Sequence, residues 1–449
     1  MRPKVISAGM SNFLLCFALS LASFLISAVI LRNGVGAGPD PWSYWEGSVG
    51  LIEKHSYCYL SGSPLFFWPP LFSLFLALFQ WPLPQTGRTL ALAMSVCSGL
   101  SAFAWSLYVL KIFPGENGSR KSPACVISLL FVPLFVPLCS LSLSSNSLVL
   151  FFVGLLFYRL ARLGETRAFW PAYKGPAVLG LLLCGCMLTH NSSVVFVVAT
   201  VIAVLLAAGG SVRQRVLGSG LILLISLIPW MGIRHWLGQE GSHEMTGGAY
   251  TVFQSVEQAL YGVGVFFIST ASALIQGLVG VLILAGLFVV LARRPRSETE
   301  TRCRLLMGLS LLVLAGFFLL LNLIPIGDKL GGRFFYFFPL AITPPLLFRT
   351  KKQLTALAAL TLLTVGVSGA RISQRVWHGE SAPLDKGVKE QSARVIYSEY
   401  FLTSKKDPVA PLGTVRVNPP VFPWKKKHWT DQDSIQMVEL IDSETNIVH

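Results

Sequence analysis

The stretch GPDPWSYWEGSVGLIEK, residues 38–54, follows the first long apolar segment of the chain and comes shortly before another. Apolar side chains recur along it at spacings of three and four residues: Trp42, Trp45, Val49 and Ile52. This is the pattern of one helical face, so it predicts a helix over residues 41–54 with Asp40 as its N-cap. An aromatic-rich helix beside a membrane anchor is typical of a segment in the membrane interface. We therefore predict an interfacial helix inside a first outer loop that covers residues 32–66.

The composition places the whole chain in a membrane. Of its 449 residues, 53% are hydrophobic and 13% are charged, and the mean hydropathy is +0.63. A soluble domain carries about 25% charged residues. Apolar runs of roughly 20 residues recur along the chain, which predicts an all-α polytopic protein of about 11 transmembrane helices. The first run, Ser11–Leu31, has no convincing cleavage site, so we interpret it as a retained anchor rather than a signal peptide.

The net charge of +15 has an explanation that requires no nucleic acid. Basic residues concentrate in particular segments between the apolar runs: Lys111–Lys121, Arg159–Lys174, Arg213–Arg215, Arg293–Arg304 and Arg349–Lys352. Loops rich in Lys and Arg stay in the cytoplasm. The loops at 32–66 and 234–257 carry more acids than bases and are assigned to the outer face. This arrangement predicts a cytoplasmic N-terminus and an outer C-terminus.

Two parts of this topology remain open at the level of sequence. Phe66–Trp81 and Thr89–Leu110 both resemble crossings, yet two full crossings would place Lys111–Lys121 outside. One of the two is therefore half-inserted or kinked. The run Ala177–Ala208 either forms one long segment or a hairpin whose turn carries His190, Asn191 and Ser192.

The composition changes once, near Ala370. Residues 1–370 form the predicted transmembrane domain, and residues 371–449 form a small outer tail with short β-like pieces at Arg394–Tyr397 and Thr414–Val417. The eight cysteines lie mostly inside or beside apolar runs, which argues against disulfides and a zinc site. Four polar residues in the loop at 234–257 match no named metal site, and an acceptor-facing loop is the simpler interpretation: His235, Glu240, His243 and Glu244.

Several motifs occur in a characteristic order. Pro39-Asp40 follows the first apolar run, Tyr44 comes next with Ser48–Leu51, and Trp68-Pro69-Pro70-Leu71 opens a later run. Near the end, GGRFFYFFP at 331–339 is similar to an Arg-Tyr-x-x-Pro element, although Tyr336 is not adjacent to Arg333. In this order the chain resembles the GT-C membrane glycosyltransferases, which include protein O-mannosyltransferases and lipid A aminoarabinose transferases.

The resemblance implies an activity and a set of site residues. Such enzymes move a sugar from a polyprenyl-phosphate carrier to a glycan, lipid or protein acceptor at the outer face of the membrane, here a bacterial inner membrane. The implied roles are a general base, Asp40; lipid-phosphate ligands, Arg333, Lys329 and His190; and substrate- or loop-positioning residues, Tyr44, Trp68 and Asp328. The second acidic group that the family often carries is replaced by Asn146 in SLSLSSNSL, residues 140–148. This departure favours an inverting displacement without a metal, and no cofactor is predicted.

Each of these residues also has a plainer interpretation. Asp40 is suited to be a helix cap and nothing more, Arg333 to be an anchor that extends to the interface, and Asp328 to be an ordinary loop acid. His190 and Asn191 are suited to be a polar pair between helices. Two other functions also remain open: a transporter or flippase for a lipid-linked saccharide, and a non-catalytic membrane assembly subunit.

Overall fold

The structure is a computed structural model, and it describes residues 3–32, 39–58, 65, 68–83, 87–113, 122–139, 143–163, 173–236, 256, 260, 263, 273–323, 337–349, 394–396 and 414–416. Nearly all of this is helical. The helices are α1 Pro3–Ile30, α2 Pro39–Glu53, α3 Pro70–Gln80, α4 Gly87–Ile112, α5 Pro123–Cys139, α6 Asn146–Leu160, α7 Lys174–Thr189, α8 Val194–Ala207, α9 Val212–Trp236, α10 Ala273–Ala292, α11 Glu298–Leu323 and α12 Phe337–Arg349. A 3-10 turn at Asn191–Ser193 separates α7 from α8.

Four described helices are long and apolar enough to cross a bilayer: Met10–Ile30, Arg88–Ile112, Val212–Trp236 and Glu298–Leu319. Seven shorter apolar helices accompany them. The prediction of an α-helical membrane protein is therefore confirmed. The predicted count of about 11 crossings stays a prediction, since the last apolar run, Leu354–Ala370, lies outside the described residues.

Helix α3 explains why charge and hydropathy disagree around residues 66–110. Its 11 residues extend only about 16 Å, far less than the roughly 30 Å hydrocarbon layer. Helix α4 has 26 residues and is long enough to cross. Helix α3 is thus too short to cross by itself, as the half-inserted alternative for Phe66–Trp81 requires, and the topology of residues 66–110 stays a prediction.

The chain divides into two compact units. Unit 1 comprises Met1–Val29, Ser95–Ser140 and Ser145–Ser373, and unit 2 comprises Ile30–Met94, Leu141–Ser144 and Gln374–His449. Within unit 2, α2 packs directly on α3. Within unit 1, helices α5 to α12 surround one large apolar core.

Helices α1 and α4 pack antiparallel in unit 1. Ser20 donates to the Gly99 carbonyl at 2.8 Å, and Phe13 contacts Phe103 with ring centroids 5.8 Å apart. The outward face of α1 exposes a stripe of large apolar side chains: Phe13, Leu14, Phe17, Leu21 and Leu25. A helix with small polar residues toward its neighbour and an apolar outer face is arranged for a lipid environment.

Helix α8 runs antiparallel to α9. At one end, the Leu205 carbonyl of α8 accepts a hydrogen bond from Arg215 near the start of α9, at 2.8 Å. At the other end, Asn191, just before α8, accepts a hydrogen bond from Trp230 near the end of α9, at 3.0 Å. The turn at 190–193 therefore lies beside the last turns of α9.

Helix α7 approaches this turn from the opposite direction. Gly180 of α7 lies against the middle of α9, where a Cβ at Gly180 would stand 2.8 Å from the Ile225 Cβ. From there α7 runs on to Thr189, level with the last turns of α9. The segment Ala177–Ala208 is consequently a hairpin. Its turn carries His190, Asn191 and Ser192, as the hairpin alternative of the sequence predicts.

Two short strands occur in the tail. Strand β1, Arg394–Ile396, pairs in parallel with β2, Thr414–Arg416, and Val395 stands opposite Val415. These are the two pieces that the β-branched pattern predicts as β-like. The division at residue 370 into a membrane domain and an outer tail stays a prediction.

Candidate functional site

The predicted loop helix is present as α2, with two differences in detail. It begins at Pro39, two residues earlier than predicted, so Asp40 lies in the first turn instead of at the N-cap position. Two prolines are tolerated there because the first four N–H groups of a helix have no intrahelical partner. An acid in the first turn is also favoured by the helix dipole. Of Asp40 the structure describes the backbone alone.

The second difference concerns the burial of α2. The apolar stripe places Glu46 at the edge of a polar face, yet Glu46 is fully buried, and so are all residues from Ser43 to Gly50. Among the side chains of α2 that the structure describes, 43–53, the exposed one is Glu53 at the C-terminal end. Helical periodicity identifies the most apolar face, but it does not show whether the other face is also covered. The interfacial location of α2 stays a prediction.

Aromatic side chains join α2 to the segment that precedes α3. The Tyr44 ring is 1% exposed and lies between Trp68, at a centroid distance of 5.3 Å, and Phe72, at 5.1 Å. Such aromatic pairs contribute roughly 0.5–1.5 kcal/mol each beyond their buried area. The structure thus brings together two predicted site residues, Tyr44 and the half-buried Trp68, in a contact that fixes the geometry of the loop.

Hydrogen bonds complete the attachment of α2 to α3. The Tyr57 hydroxyl lies within hydrogen-bond distance of the carbonyls of Trp68 (3.0 Å) and Pro69 (3.3 Å), and Ser73 donates to the Tyr44 carbonyl at 2.8 Å. At the far end, the Gln80 amide donates to the Ser48 hydroxyl at 2.9 Å. Helix α2, which carries Asp40, is therefore bonded to α3 at Tyr44 and Ser48.

Unit 1 contains a cavity at the end of the bundle where the α7–α8 turn lies. Its volume is about 30 Å³, and it is partly open to the outside. Its polar wall is formed by Asn146, His190, Ser192 and Ser193. Its apolar wall includes three phenylalanines, Phe196, Phe317 and Phe337, whose ring centroids are 5.1–6.5 Å apart. The cavity thus combines hydrogen-bonding groups with an aromatic surface.

The backbone around His190 explains how an imidazole reaches this cavity. Helix α7 ends at Thr189, and His190 has an extended conformation with φ −155° and ψ 125°. The Ser192 backbone N–H donates to His190 Nδ1 at 3.3 Å, and the Ser192 hydroxyl lies 2.6 Å from the same nitrogen. Because a backbone N–H only donates, Nδ1 acts as an acceptor and the proton of the neutral ring is on Nε2.

The turn is also bonded to α9. Trp230 donates its indole N–H to the Asn191 side-chain oxygen at 3.0 Å, and the Arg234 guanidinium lies over the Trp230 ring at 4.8 Å from the centroid. Trp230 thus bonds directly to the turn, and Arg234 covers the Trp230 ring. Trp230 carries no local sequence signal of this role, since only its contact with a turn 39 residues earlier distinguishes it from other tryptophans.

Basic residues lie at the opposite ends of the helices that line the cavity. In α6, Asn146 marks the cavity end and the basic Arg159 stands near the other end. In α7, the basic Lys174 begins the helix and His190 follows its cavity end. Helices α11 and α12 behave alike: Phe317 and Phe337 line the cavity, whereas the first turns of α11 and the last residue of α12 carry the basic residues Arg302, Arg304 and Arg349. The cavity and these basic residues therefore occupy opposite ends of unit 1.

Three predicted site residues, Asp328, Lys329 and Arg333, lie outside the described residues, and their roles stay predictions. In the described part of the chain, no three His, Cys, Asp or Glu side chains group as a metal site; Glu240, His243 and Glu244 fall outside it. All eight cysteines are described, and each is a buried free thiol.

Composition and apolar helices together define this chain as a helical integral membrane protein. No protein-family model and no curated protein sequence matches it. Among solved structures, it is similar to ArnT from Cupriavidus metallidurans, in a crystal structure bound to undecaprenyl phosphate, with 13% sequence identity and a TM-score of 0.48. The similarity covers 81% of this chain and 61% of that chain, so this chain spans about three-fifths of the length of its neighbour.

Proposed function

We propose that this protein is a membrane glycosyltransferase of the GT-C type, which moves a sugar from a polyprenyl-phosphate carrier to an acceptor at the outer face of the membrane. The observation that carries the proposal is the cavity of unit 1. A carrier head joins a charged phosphate to an apolar isoprenoid chain, and the cavity joins hydrogen-bonding side chains to a phenylalanine wall. Ligand sites of this kind combine an apolar lining with a few polar groups that fix orientation.

The reaction requires a group that accepts a proton from the acceptor, and we assign this role to Asp40. As the acceptor oxygen attacks the anomeric carbon, its proton passes to the Asp40 carboxylate. The bond from that carbon to the phosphate oxygen breaks, and the polyprenyl phosphate leaves with the electron pair, which inverts the configuration. General-base catalysis contributes about 10²–10⁴-fold. Tyr44 and Trp68 position the loop that carries Asp40.

The leaving phosphate requires hydrogen-bond donors and positive charge. His190 supplies a donor at the cavity, since its Nε2 carries the proton of the neutral ring. Arg333 precedes the cavity residue Phe337 by four positions in the sequence, a chain length that extends at most about 15 Å. A guanidinium offers two parallel hydrogen bonds to a phosphate, and we assign it this role, with Lys329 as a second cation.

We assign the cavity to the outer face and the basic ends of α6, α7, α11 and α12 to the cytoplasm, because cytoplasmic loops carry the excess of Lys and Arg. A cytoplasmic N-terminus and an outer tail beyond residue 370 follow from the same assignment, and we propose a bacterial inner membrane from the resemblance to the GT-C enzymes. Asn146 stands where the family often carries an acid, and its neutral amide does not supply the carboxylate that divalent-cation sites use. The proposed displacement therefore proceeds without a metal or other cofactor.

The experiment that tests the proposal replaces Asp40. Asp40→Asn preserves size and removes the base, so transfer of sugar from a polyprenyl-phosphate donor by purified protein in lipid vesicles should fall about 10²–10⁴-fold. The matched control is Glu53→Gln, the same change at the exposed end of α2, and it should keep wild-type activity. Wild-type protein that flips the donor across the vesicle without forming product would instead identify a transporter. Full activity in Asp40→Asn would refute the proposed mechanism.

A further inference from the structure

We infer that Trp230 is a positioning residue for the proposed phosphate site: through Asn191 it holds the α7–α8 turn so that His190 acts as a hydrogen-bond donor from Nε2. This inference rests on the proposed function for the identity of the ligand. The tautomer of the His190 ring follows independently of that function, from contacts within unit 1.

The turn is a short polar interruption between two apolar helices. Helix α7 has 16 residues, and α8 has 14 after a 3-10 turn of three. Because His190 is extended, the regular hydrogen-bond ladder stops there. Within the turn, the Ser193 N–H donates to the His190 carbonyl at 3.0 Å, but this local bond does not fix the turn against the rest of the bundle, which takes a contact from another helix.

Trp230 supplies that constraint from another helix. Its indole N–H bonds to Asn191, which is adjacent to His190 on one side and to Ser192 on the other. A bond at Asn191 therefore restrains both partners of the His190–Ser192 contact. The Trp230 ring is itself held under the Arg234 guanidinium at 4.8 Å, in a cation–π contact.

The consequence is a chemical role for His190. With Nδ1 accepting from Ser192 at 3.3 Å, Nε2 carries the proton in the neutral ring. Such a ring donates toward an anionic oxygen and does not act as a base at that nitrogen. A phosphate is a suitable ligand for this donor, whereas a neutral sugar hydroxyl gains less, since hydrogen bonds to charged groups are the stronger ones. Loosening the turn would let the ring exchange tautomers.

The test uses Trp230→Phe, which keeps an aromatic ring and removes the N–H. Its matched control is Trp236→Phe, the same substitution six residues on in α9 at a side chain that is 78% exposed. The first readout is the nitrogen NMR spectrum of histidine-labelled full-length protein in nanodiscs, with the His190 signals assigned by their loss in His190→Gln. We expect the two ring nitrogens of His190 to be well separated in the wild type and in Trp236→Phe, and to move together in Trp230→Phe.

The second readout is the KM for a polyprenyl-phosphate sugar donor, or the Kd for polyprenyl monophosphate. Because Trp230→Phe loses one neutral hydrogen bond, this KM or Kd should rise roughly 2- to 10-fold, while kcat stays within twofold. Asn191→Leu should do the same, and the double variant should be no worse than the worse single one, because both changes break one bond.

The outcomes separate this inference from the proposed function. An unchanged His190 spectrum in Trp230→Phe, or strictly additive effects of the two substitutions, would overturn the positioning role even if the enzyme transfers sugar. A changed spectrum in a protein that neither binds polyprenyl monophosphate nor transfers sugar would support the positioning role and overturn the proposed function. A changed spectrum together with a higher KM would support both.

Discussion

Replacing Gly47 by alanine should separate α2 from α3. A Cβ at this position would stand 2.6 Å from the edge of the Tyr57 ring, 2.9 Å from Leu65 Cδ1 and 2.9 Å from Ser73 Oγ. Contacts under 3.0 Å require the neighbours to move. The Tyr57 ring has little freedom to move, since its hydroxyl is held by the Trp68 and Pro69 carbonyls, and Ser73 is held by the Tyr44 carbonyl. The added methyl group should therefore displace the helix.

The expected size follows from what such overpacking costs. Inserting a methylene into a packed core typically costs about 1–3 kcal/mol, against a helix-propensity gain of roughly 0.5–1 kcal/mol for Gly to Ala. The net result should be a lower melting temperature in detergent. Because α2 carries Asp40, transfer activity should also fall, with kcat affected more than donor KM.

The control is Gly308→Ala in α11, where nothing lies within 4 Å of the new Cβ. This variant gains the higher helix propensity of alanine without any added crowding, so it should be at least as stable as the wild type. The measurement is the melting temperature of both variants, with unfolding monitored by tryptophan fluorescence. If Gly47→Ala melted together with Gly308→Ala and kept full activity, the close α2–α3 approach would be wrong.

Tyr57→Phe should remove the hydroxyl that holds the Trp68-Pro69 carbonyls and lower stability by about 0.5–1.5 kcal/mol; unchanged unfolding would contradict this. His190→Gln should raise the donor KM with little effect on kcat, which steady-state kinetics would detect. Single cysteines at Arg213 and Trp236 should label differently in intact cells with an impermeant thiol reagent. The Trp236 position should react and the Arg213 position should not, with low background because all native cysteines are buried; the reverse pattern would invert the proposed orientation.

Local sequence signals predict the secondary structure of this chain well where the cause is itself local. The spacing of Trp42, Trp45 and Val49 predicts α2 to within two residues at each end, because helical periodicity is a short-range property. Polar residues inside an apolar run predict the turn at His190. The double proline before Leu71 marks the start of α3, since proline suits the first helical positions.

The candidate site depends on contacts between distant parts of the chain, which one sequence does not reveal. Asn146 and His190 line the same cavity although 44 positions separate them. The burial of Glu46 likewise depends on what covers the second face of α2, and no periodicity encodes that. Charge was the more informative long-range signal, since the basic clusters predict which helix ends lie together.

The lengths of the cavity helices determine how deep the cavity lies. From its basic end to its cavity end, α6 has 15 residues, α7 has 16 and α12 has 13, and so they extend about 20–24 Å. With their basic ends at one boundary of a hydrocarbon layer roughly 30 Å thick, the other ends stop several ångströms short of the opposite boundary. In the proposed orientation, a lipid headgroup that binds at His190 would therefore lie below the plane of its neighbours and would lose part of its hydration.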